Sequence, residues 1–277
     1  MSANEDYLMS AIIMAIGAFV IFLGFIKMRK WRIIKDTPRS KIRSMAMGIV
    51  EIHGSVEADQ LIKSPFSKTD CVYYKWEIKE YRKDSSSKKG SSSYTWRSVS
   101  WGERSIPFFA RDDTGRVLID PHKGEFAVEA KKVYYQKDRG LFASIAGLGK
   151  LIKALKNFDP NNPDSLLPDD LELTPMEEMG GFHSVRPGDR KYYEHYILPG
   201  DNLFVLGTAA NSQDAPGNVV IKRGRNEKTF IISDKKEKGV LRGMKKLMVV
   251  CFVFGSIFFV VGAVILLQTA GIIGKGN

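Results

Sequence analysis

Asp113-Thr114-Gly115 spells the tripeptide of aspartic proteases. That chemistry needs two carboxylates sharing one proton in an apolar setting, supplied by two lobes or two subunits. Here Arg111, Asp112 and Arg116 crowd the tripeptide, and the sequence holds no second copy. The apolar runs of IPFFARDDTGRVLIDP flank it, so it reads as a hairpin turn whose Gly supplies a positive φ. As a metal pair, Asp112 and Asp113 lack the further carboxylates that a hard cation takes. Gly147-Leu148-Gly149-Lys150 ends like a phosphate loop, but position 144 is Ser where that motif has Gly. Glu194 and His195 are neighbours, and on a strand they point to opposite faces, out of reach as a dyad. His53 reads as a strand histidine with no acid, Cys or His beside it. Two Cys (Cys71, Cys251) and four scattered His (His53, His122, His183, His195) cannot make a Cys-rich zinc module. No catalytic residue, metal ligand or cofactor is expected.

Two apolar windows set the frame for everything else. Leu247–Leu267 runs 21 residues without a charge, enough at about 1.5 Å per residue to cross a hydrocarbon core of about 30 Å. Tyr7–Ile26 is a second uncharged window of 20 residues, preceded by Glu5 and Asp6 and followed by basic residues. A signal peptide carries its basic residues first, so this window reads as an anchor. Cys251 lies inside a window and Cys71 outside both, so no internal disulfide is expected.

The net charge of +11 is concentrated beside the windows. Lys27–Arg43 holds eight basic residues against Asp36, and Lys235–Lys246 holds six against Glu237. The remainder carries 28 basic and 29 acidic residues. Nucleic-acid binding would spread its charge over a folded face; no nucleic-acid partner is expected. Juxtamembrane clusters instead favour anionic lipid by about 1 kcal/mol per basic residue. The candidate contacts are Lys27, Arg29, Lys30, Arg32, Lys35, Lys245 and Lys246. By the positive-inside rule, residues 28–246 lie on the cytoplasmic side and both termini outside, for a prokaryotic plasma membrane. Gly17 with Gly24, and Gly255 with Gly262, recur at heptad spacing. That spacing fits the seam of a helix pair, and also the general frequency of Gly in membrane helices.

Between the windows about 200 residues remain, enough for one core. CVYYKWEIKEYRK alternates, with Val72, Tyr74, Trp76 and Ile78 on one face and Tyr73, Lys75, Glu77 and Lys79 on the other. Its return strand starts at Tyr94, and Trp76 is expected to meet Trp96 or Trp101 across the pair. Residues 84–93, rich in Ser and Lys, read as a mobile hairpin tip between them. MGIVEIHGSV, residues 123–136, KYYEHYIL, NLFVLGTAA, NVVIKR and TFIIS are further β-like runs. Arg186-Pro187-Gly188-Asp189 and Leu198-Pro199-Gly200-Asp201 repeat a type II turn pattern. Thr37-Pro38-Arg39-Ser40 reads as a linker end or a helix start.

Residues 140–158 change to a helical period. Leu141, Ile145, Leu148, Ile152 and Leu155 share one face, and Lys150, Lys153 and Asn157 the other. Such a helix beside a bilayer suits docking on lipid or on a partner; packing on the β domain would show the same pattern. Residues 159–180 form an acidic, Pro-rich loop.

The order of these pieces resembles the domain between the two membrane spans of the mitochondrial ubiquitin ligase family called MULAN, MAPL or GIDE. The residues that carry the resemblance begin with Ser64-Pro65-Phe66, Cys71 with Tyr73 and Tyr74, and Trp96. They continue with Pro107-Phe108, Asp112-Asp113-Thr114-Gly115, Asp120-Pro121, Glu194, Ile197, Pro199-Gly200-Asp201 and Val205 to Gly207. The resemblance covers about residues 8–267 and implies a domain that engages partners beside the membrane, with ligase activity in a RING after the second span. A RING takes eight Cys or His ligands, and no Cys or His follows Leu267. Ligase residues therefore have no position here to be carried onto. The family's domain faces the intermembrane space, whereas the charges here favour the cytoplasmic side.

The expected fold is α+β: two transmembrane helices flanking a mainly antiparallel β domain, barrel- or sandwich-like, with one amphipathic helix. Its expected segments are an external N-terminus (1–6), the first helix (7–26), a basic linker (27–43) and the soluble domain (44–234). A basic segment (235–246), the second helix (247–267) and a short tail (268–277) complete the chain. The expected function is a membrane-anchored, non-catalytic scaffold with the bilayer and a protein as partners. The alternative is a component of a ubiquitin-type ligase system whose RING comes from another chain.

Overall fold

The structure is a computed structural model and describes residues 3–84, 93–137, 141–156, 173–179, 184–213, 215–234 and 237–272. Most of the expected tip 84–93 and of the acidic loop 159–180 lies outside the described residues. The helices are α1 (Ala3–Asp36), α2 (Leu141–Lys156) and α3 (Glu237–Thr269). Two units result: Met1–Arg39 with Lys235–Asn277, and Ser40–Asp234.

In the first unit α1 and α3 are both long and apolar enough to cross a membrane, over Glu5–Asp36 and Gly243–Thr269. α1 does not end with the apolar window; it continues through the basic run to Asp36. Thr37 donates its Oγ1–H to the Ile33 carbonyl at 2.6 Å. Pro38 then ends the helix rather than opening one, since its ring disfavours helical backbone at Thr37. The heptad glycines form a seam between the helices. A Cβ at Gly17 would stand 2.6 Å from the Phe259 nitrogen and 2.9 Å from the Gly255 carbonyl oxygen. One at Gly262 would stand 2.7 Å from Met14 and 3.1 Å from the Ser10 carbonyl oxygen. Glycine is what lets the backbones approach this closely.

The second unit contains β1 (Gly48–Glu57), β2 (Ile62–Lys63), β3 (Asp70–Cys71), β4 (Tyr73–Lys83), β5 (Tyr94–Ser105), β6 (Phe108–Arg111) and β7 (Arg116–Ile119). It continues with β8 (Glu125–Ala127), β9 (Ala130–Gln136), β10 (Thr174–Pro175), β11 (Arg190–Ile197), β12 (Asn202–Asn211), β13 (Val219–Lys222) and β14 (Ile231–Ser233). The sheet order β1-β6-β7-β13-β12 closes on itself because β1 also pairs with β12, giving a five-stranded barrel. Numbered within the barrel, the strands run 1-2-3-5-4, an OB-type Greek key that leaves no open edge. β1 serves both neighbours by bending. It pairs with β12 through Ser55 and with β6 from Ser55 onward. At the bend a Cβ on Gly54 would lie 2.6 Å from the Arg111 carbonyl oxygen. NVVIKR and TFIIS follow one another along the edge of β12 opposite β1, β14 pairing at Phe204–Leu206 and β13 at Thr208–Asn211. Ile52, Phe108, Ile119, Val205 and Ile221 fill the barrel and are wholly buried, each contributing about 1.5–3 kcal/mol.

The sheet β10-β9-β11-β4-β5 is antiparallel throughout. Tyr74, Trp76 and Ile78 of β4 are buried on one face, following the alternation in the sequence. Tyr73, expected on the outer face, is also buried because it stacks on Phe126 at 3.7 Å in the barrel core. The tryptophan pairing differs from expectation. Trp76 lies opposite Gly102, and Trp101, one residue off, turns to the other face opposite Glu77. A bulge between Ile78 and Lys79 then sets Trp96 opposite Tyr81, with ring centroids 5.3 Å apart. Leu151 and Leu155 of α2 join Phe66, Trp76, Ile78 and Tyr192 in the second hydrophobic cluster, with Leu148 partly buried against it.

Candidate functional site

β11 alternates as far as Tyr196, burying Arg190, Tyr192, Glu194 and Tyr196, and Ile197 at its end is buried in the barrel core. His195 points the other way, its Nδ1 2.9 Å from the Val128 carbonyl oxygen. Glu194 and His195 therefore face opposite sides of the sheet, as their adjacency requires. Glu194 is fully enclosed. Its Oε1 accepts the Phe66 N–H at 2.8 Å and its Oε2 accepts the Ser67 N–H at 3.1 Å. The Ser64-Pro65-Phe66 motif is thus the turn between β2 and β3, bolted to the sheet by one carboxylate. A hydroxyl chain completes it, with Ser64 Oγ 2.8 Å from Ser67 Oγ and Ser67 Oγ 2.7 Å from Thr69 Oγ1. Thr69 donates its N–H to Ser64 Oγ at 3.0 Å.

Burial pushes the Glu194 carboxyl above the usual carboxylate range, against the pull of the Ser67 and Phe66 hydrogen bonds. Cys71 lies beside it, wholly buried, and donates its thiol to the Ile62 carbonyl at 3.3 Å. Burial first, then the charges of Glu194 and Asp70, push this thiol up to about 12. A thiol held protonated is no nucleophile. Burial likewise raises Tyr74 and Tyr134 to about 12.

The other motif aspartates also hold backbone. Asp112 Oδ1 accepts the Thr114 N–H at 2.7 Å, the Thr114 hydroxyl at 2.6 Å and the Gly115 N–H at 3.1 Å. Its Oδ2 accepts the Ile42 N–H at 2.9 Å, while Thr114 Oγ1 accepts the Arg43 N–H at 3.1 Å. The tripeptide hairpin therefore caps the helical turn Ile42–Ser44 ahead of β1. Burial would raise the Asp112 carboxyl, but these hydrogen bonds outweigh it and hold it below the usual range. Asp113 reaches only Lys41 at the surface. Asp120 accepts the His122 N–H at 3.1 Å.

The two Pro-Gly-Asp turns are built alike. Asp189 accepts the Arg186 N–H at 2.8 Å and Asp201 accepts the Leu198 N–H at 2.9 Å. Each turn also pairs with one strand residue: Tyr81 bonds Gly188 and Asp189, and Val56 bonds Gly200 and Asp201, at 2.8–2.9 Å. Gly188 and Gly200 take φ of 95° and 87°, as type II turns demand. Of the remaining motif positions, Phe108 lies in the barrel core just after Pro107, and Trp96 packs on Tyr81.

Leu141 and Ile145 have side chains outside the described set. Ile152 is half-buried, and Lys150 and Lys153 are exposed. Lys27 and Lys30 are half-buried on α1, Arg29, Arg32 and Lys35 exposed there, and Lys245 and Lys246 exposed on α3. Among the described residues, no group of three or more His, Cys, Asp or Glu could hold a metal ion.

Three features escaped the sequence reading. Leu151 shares the buried side of α2 because the apolar stripe is wide. His53 does have an acid partner: Glu51, two residues away and so on the same face of β1, stands 3.0 Å from its Nε2. Glu80 pairs with Arg190 at 3.0 Å and with Arg82 at 2.6 Å; only the β4–β11 register could have revealed the first pair.

A family model described as GIDE, E3 ubiquitin ligase, matches residues 77–147 and 150–267. No curated protein and no solved structure matches the chain.

Proposed function

This chain belongs to the GIDE family of E3 ubiquitin ligases, and from that premise we propose that it is a membrane-anchored, non-catalytic scaffold that docks a partner beside the bilayer. The observation that carries this reading is how the motif residues are used. Glu194, Asp112, Asp120 and Asp201 accept backbone N–H groups, and Cys71 is buried and protonated. They specify a rigid platform rather than a reacting centre.

The docking surface in this reading includes the outer side of α2. Leu151 and Leu155 tie the helix to the domain, while Lys150, Lys153 and Lys156 form an exposed stripe at three-residue spacing. Such a stripe suits an acidic partner surface. The basic ends of α1 and α3 contact anionic headgroups, and by the positive-inside rule residues 28–246 are cytoplasmic, with the termini outside, if the membrane is a prokaryotic plasma membrane. A second reading follows from the family match itself: the chain is a subunit of a ubiquitin-type ligase whose RING another chain supplies.

The test is recovery of a stoichiometric partner from native membranes in mild detergent, with K150E/K153E/K156E beside the natural chain. These changes leave the buried leucines in place. Loss of the partner with an unchanged circular dichroism spectrum supports docking on α2. Unchanged recovery removes α2 from the surface. A RING protein or ubiquitin-conjugating enzyme as the partner favours the second reading.

A further inference from the structure

The barrel closes on itself, whereas the five-stranded sheet ends at β5, an edge with no further strand beside it among the described residues. The backbone bonds fix which groups face outward. Tyr81 donates its N–H to the Asp189 carbonyl and accepts the Gly188 N–H, both at 2.9 Å, so odd-numbered residues of β4 bond towards β11. Asp84, even-numbered and just past β4, donates to the Ser93 carbonyl at 2.7 Å on the β5 side. Residues of β5 opposite the odd-numbered set therefore aim N–H and C=O away from the sheet. These are Tyr94, Trp96 and Ser98 and, past the bulge, Trp101, Glu103 and Ser105. Proteins blunt such edges by keeping them short, covering them or placing proline there. β5 runs 12 residues without a proline, and its Trp101 is 60% exposed.

α2 lies beside this edge: it packs on β5, and Val99 shares the second hydrophobic cluster with Leu148, Leu151 and Leu155. The helix carries Lys150, Lys153 and Lys156, all exposed, and no acid. β5 adds Arg97 and Arg104 against Glu103, so five basic residues stand against one acid on the two elements. We propose that the β5 edge beside α2 takes an extended acidic segment of a partner protein as an added strand. Main-chain bonds to the outward residues hold the segment. Its side chains alternate, so the acidic ones line the α2 side and the others reach Trp101 on the opposite face. A second copy would set the same basic residues against their like, and a polynucleotide has no peptide groups to continue the ladder. The proposal deepens the docking reading above, on which it rests, by giving the partner's mode of attachment and its chemistry.

The probe is fluorescein-labelled (Glu-Val)4, titrated onto the full chain in phosphatidylcholine nanodiscs and followed by anisotropy. Two further probes carry N-methyl groups on every Val or on every Glu. In an added strand the N–H groups of alternate residues point to opposite edges, so only one set pairs with β5. One N-methylated probe is expected to bind about tenfold more weakly than the parent, and the other within about threefold of it. S98P removes an outward N–H without touching the β4 ladder. It is expected to weaken (Glu-Val)4 by about tenfold with an unchanged circular dichroism spectrum. Equal binding of the two N-methylated probes overturns the proposal, and so does unchanged binding to folded S98P. A dimeric chain that S98P makes monomeric, with no binding of the probe, overturns it in favour of a second copy. If S98P proves unfolded, the N-methyl comparison alone decides. Should that comparison fail while K150E/K153E/K156E still loses the partner from native membranes, strand addition falls and docking on α2 stands. The expected N-methyl contrast with no partner recovered from those membranes upholds the edge and counts against the docking reading.

Discussion

The tripeptide at residues 113–115 offers a clean discrimination, because two adjacent aspartates have opposite importance under two mechanisms. In an acid protease Asp113 would carry the chemistry. In this fold Asp112 carries the structure, through the bonds to Thr114, Gly115 and Ile42. Removing a side chain that caps a helical turn costs about 0.5–2 kcal/mol. The site is partly open to water, which can re-satisfy some donors, so about 1.5 kcal/mol is a fair expectation for D112A. For a unit of this size each kcal/mol moves the midpoint by about 2–4 °C, giving a fall of about 3–6 °C. D113A removes only a surface ion pair with Lys41, for which 0–1 kcal/mol is usual. D112N should fall between, since its amide oxygen can serve Thr114 while its N–H₂ meets the Ile42 N–H. The assay is thermal unfolding of the β domain followed by tryptophan fluorescence in the full chain. The hydrogen bonds hold the Asp112 carboxyl low, so its contribution is present above an unfolded value of about 3.9 and is lost as pH falls further. The D112A deficit should therefore shrink in acid. A D113A deficit equal to or larger than that of D112A, or a silent D112A, would refute the reasoning.

Other consequences are as specific. E80A removes the carboxylate that meets the Arg190 guanidinium, which is only 8% exposed, and should cost about 3 kcal/mol, read as a lowered denaturant midpoint. Burial opposes ionisation of Glu80, but hydrogen bonds from Arg82 and Arg190 outweigh it and lower its pKa; the stability it confers is present at neutral pH and lost in acid, and a pH titration of the midpoint in natural and E80A chains checks this. G102V would place a Cβ 2.8 Å from the Trp76 indole; overpacking of this kind costs about 1–3 kcal/mol and should shift Trp76 emission in a chain lacking Trp31, Trp96 and Trp101. G17L pushes against the Phe259 and Gly255 backbone and should part α1 from α3. A disulfide probe between cysteines placed along the two helices would then lose most of its cross-linking yield.

Much of this was legible in the sequence because it rests on local rules. Uncharged length and flanking charge gave both long helices, and alternation gave the buried face of β4. Gly188 and Gly200 marked turns with the positive φ expected of them, whereas Gly115 closes the Asp112–Gly115 turn without the positive φ expected there. The misses are non-local. Trp76 meets Gly102 rather than another Trp because the β4–β5 register and one bulge decide partners, and alternation is silent on both. Pro38 sits after α1 because the apolar window ends before the helix does. No sequence pattern could show that Glu194, 128 residues from Phe66, closes the Ser64-Pro65-Phe66 turn. The same holds for the β1–β12 pairing that closes the barrel. Family motifs marked these positions without saying what they do.

The claim that this chain docks rather than catalyses is tested most directly by ubiquitin discharge. The full chain in nanodiscs is added to a ubiquitin-charged conjugating enzyme, and loss of the thioester is followed with and without a separate RING subunit. The account predicts that the chain alone leaves the discharge rate unchanged. Acceleration by the chain alone, abolished by a substitution within residues 40–234, would contradict it.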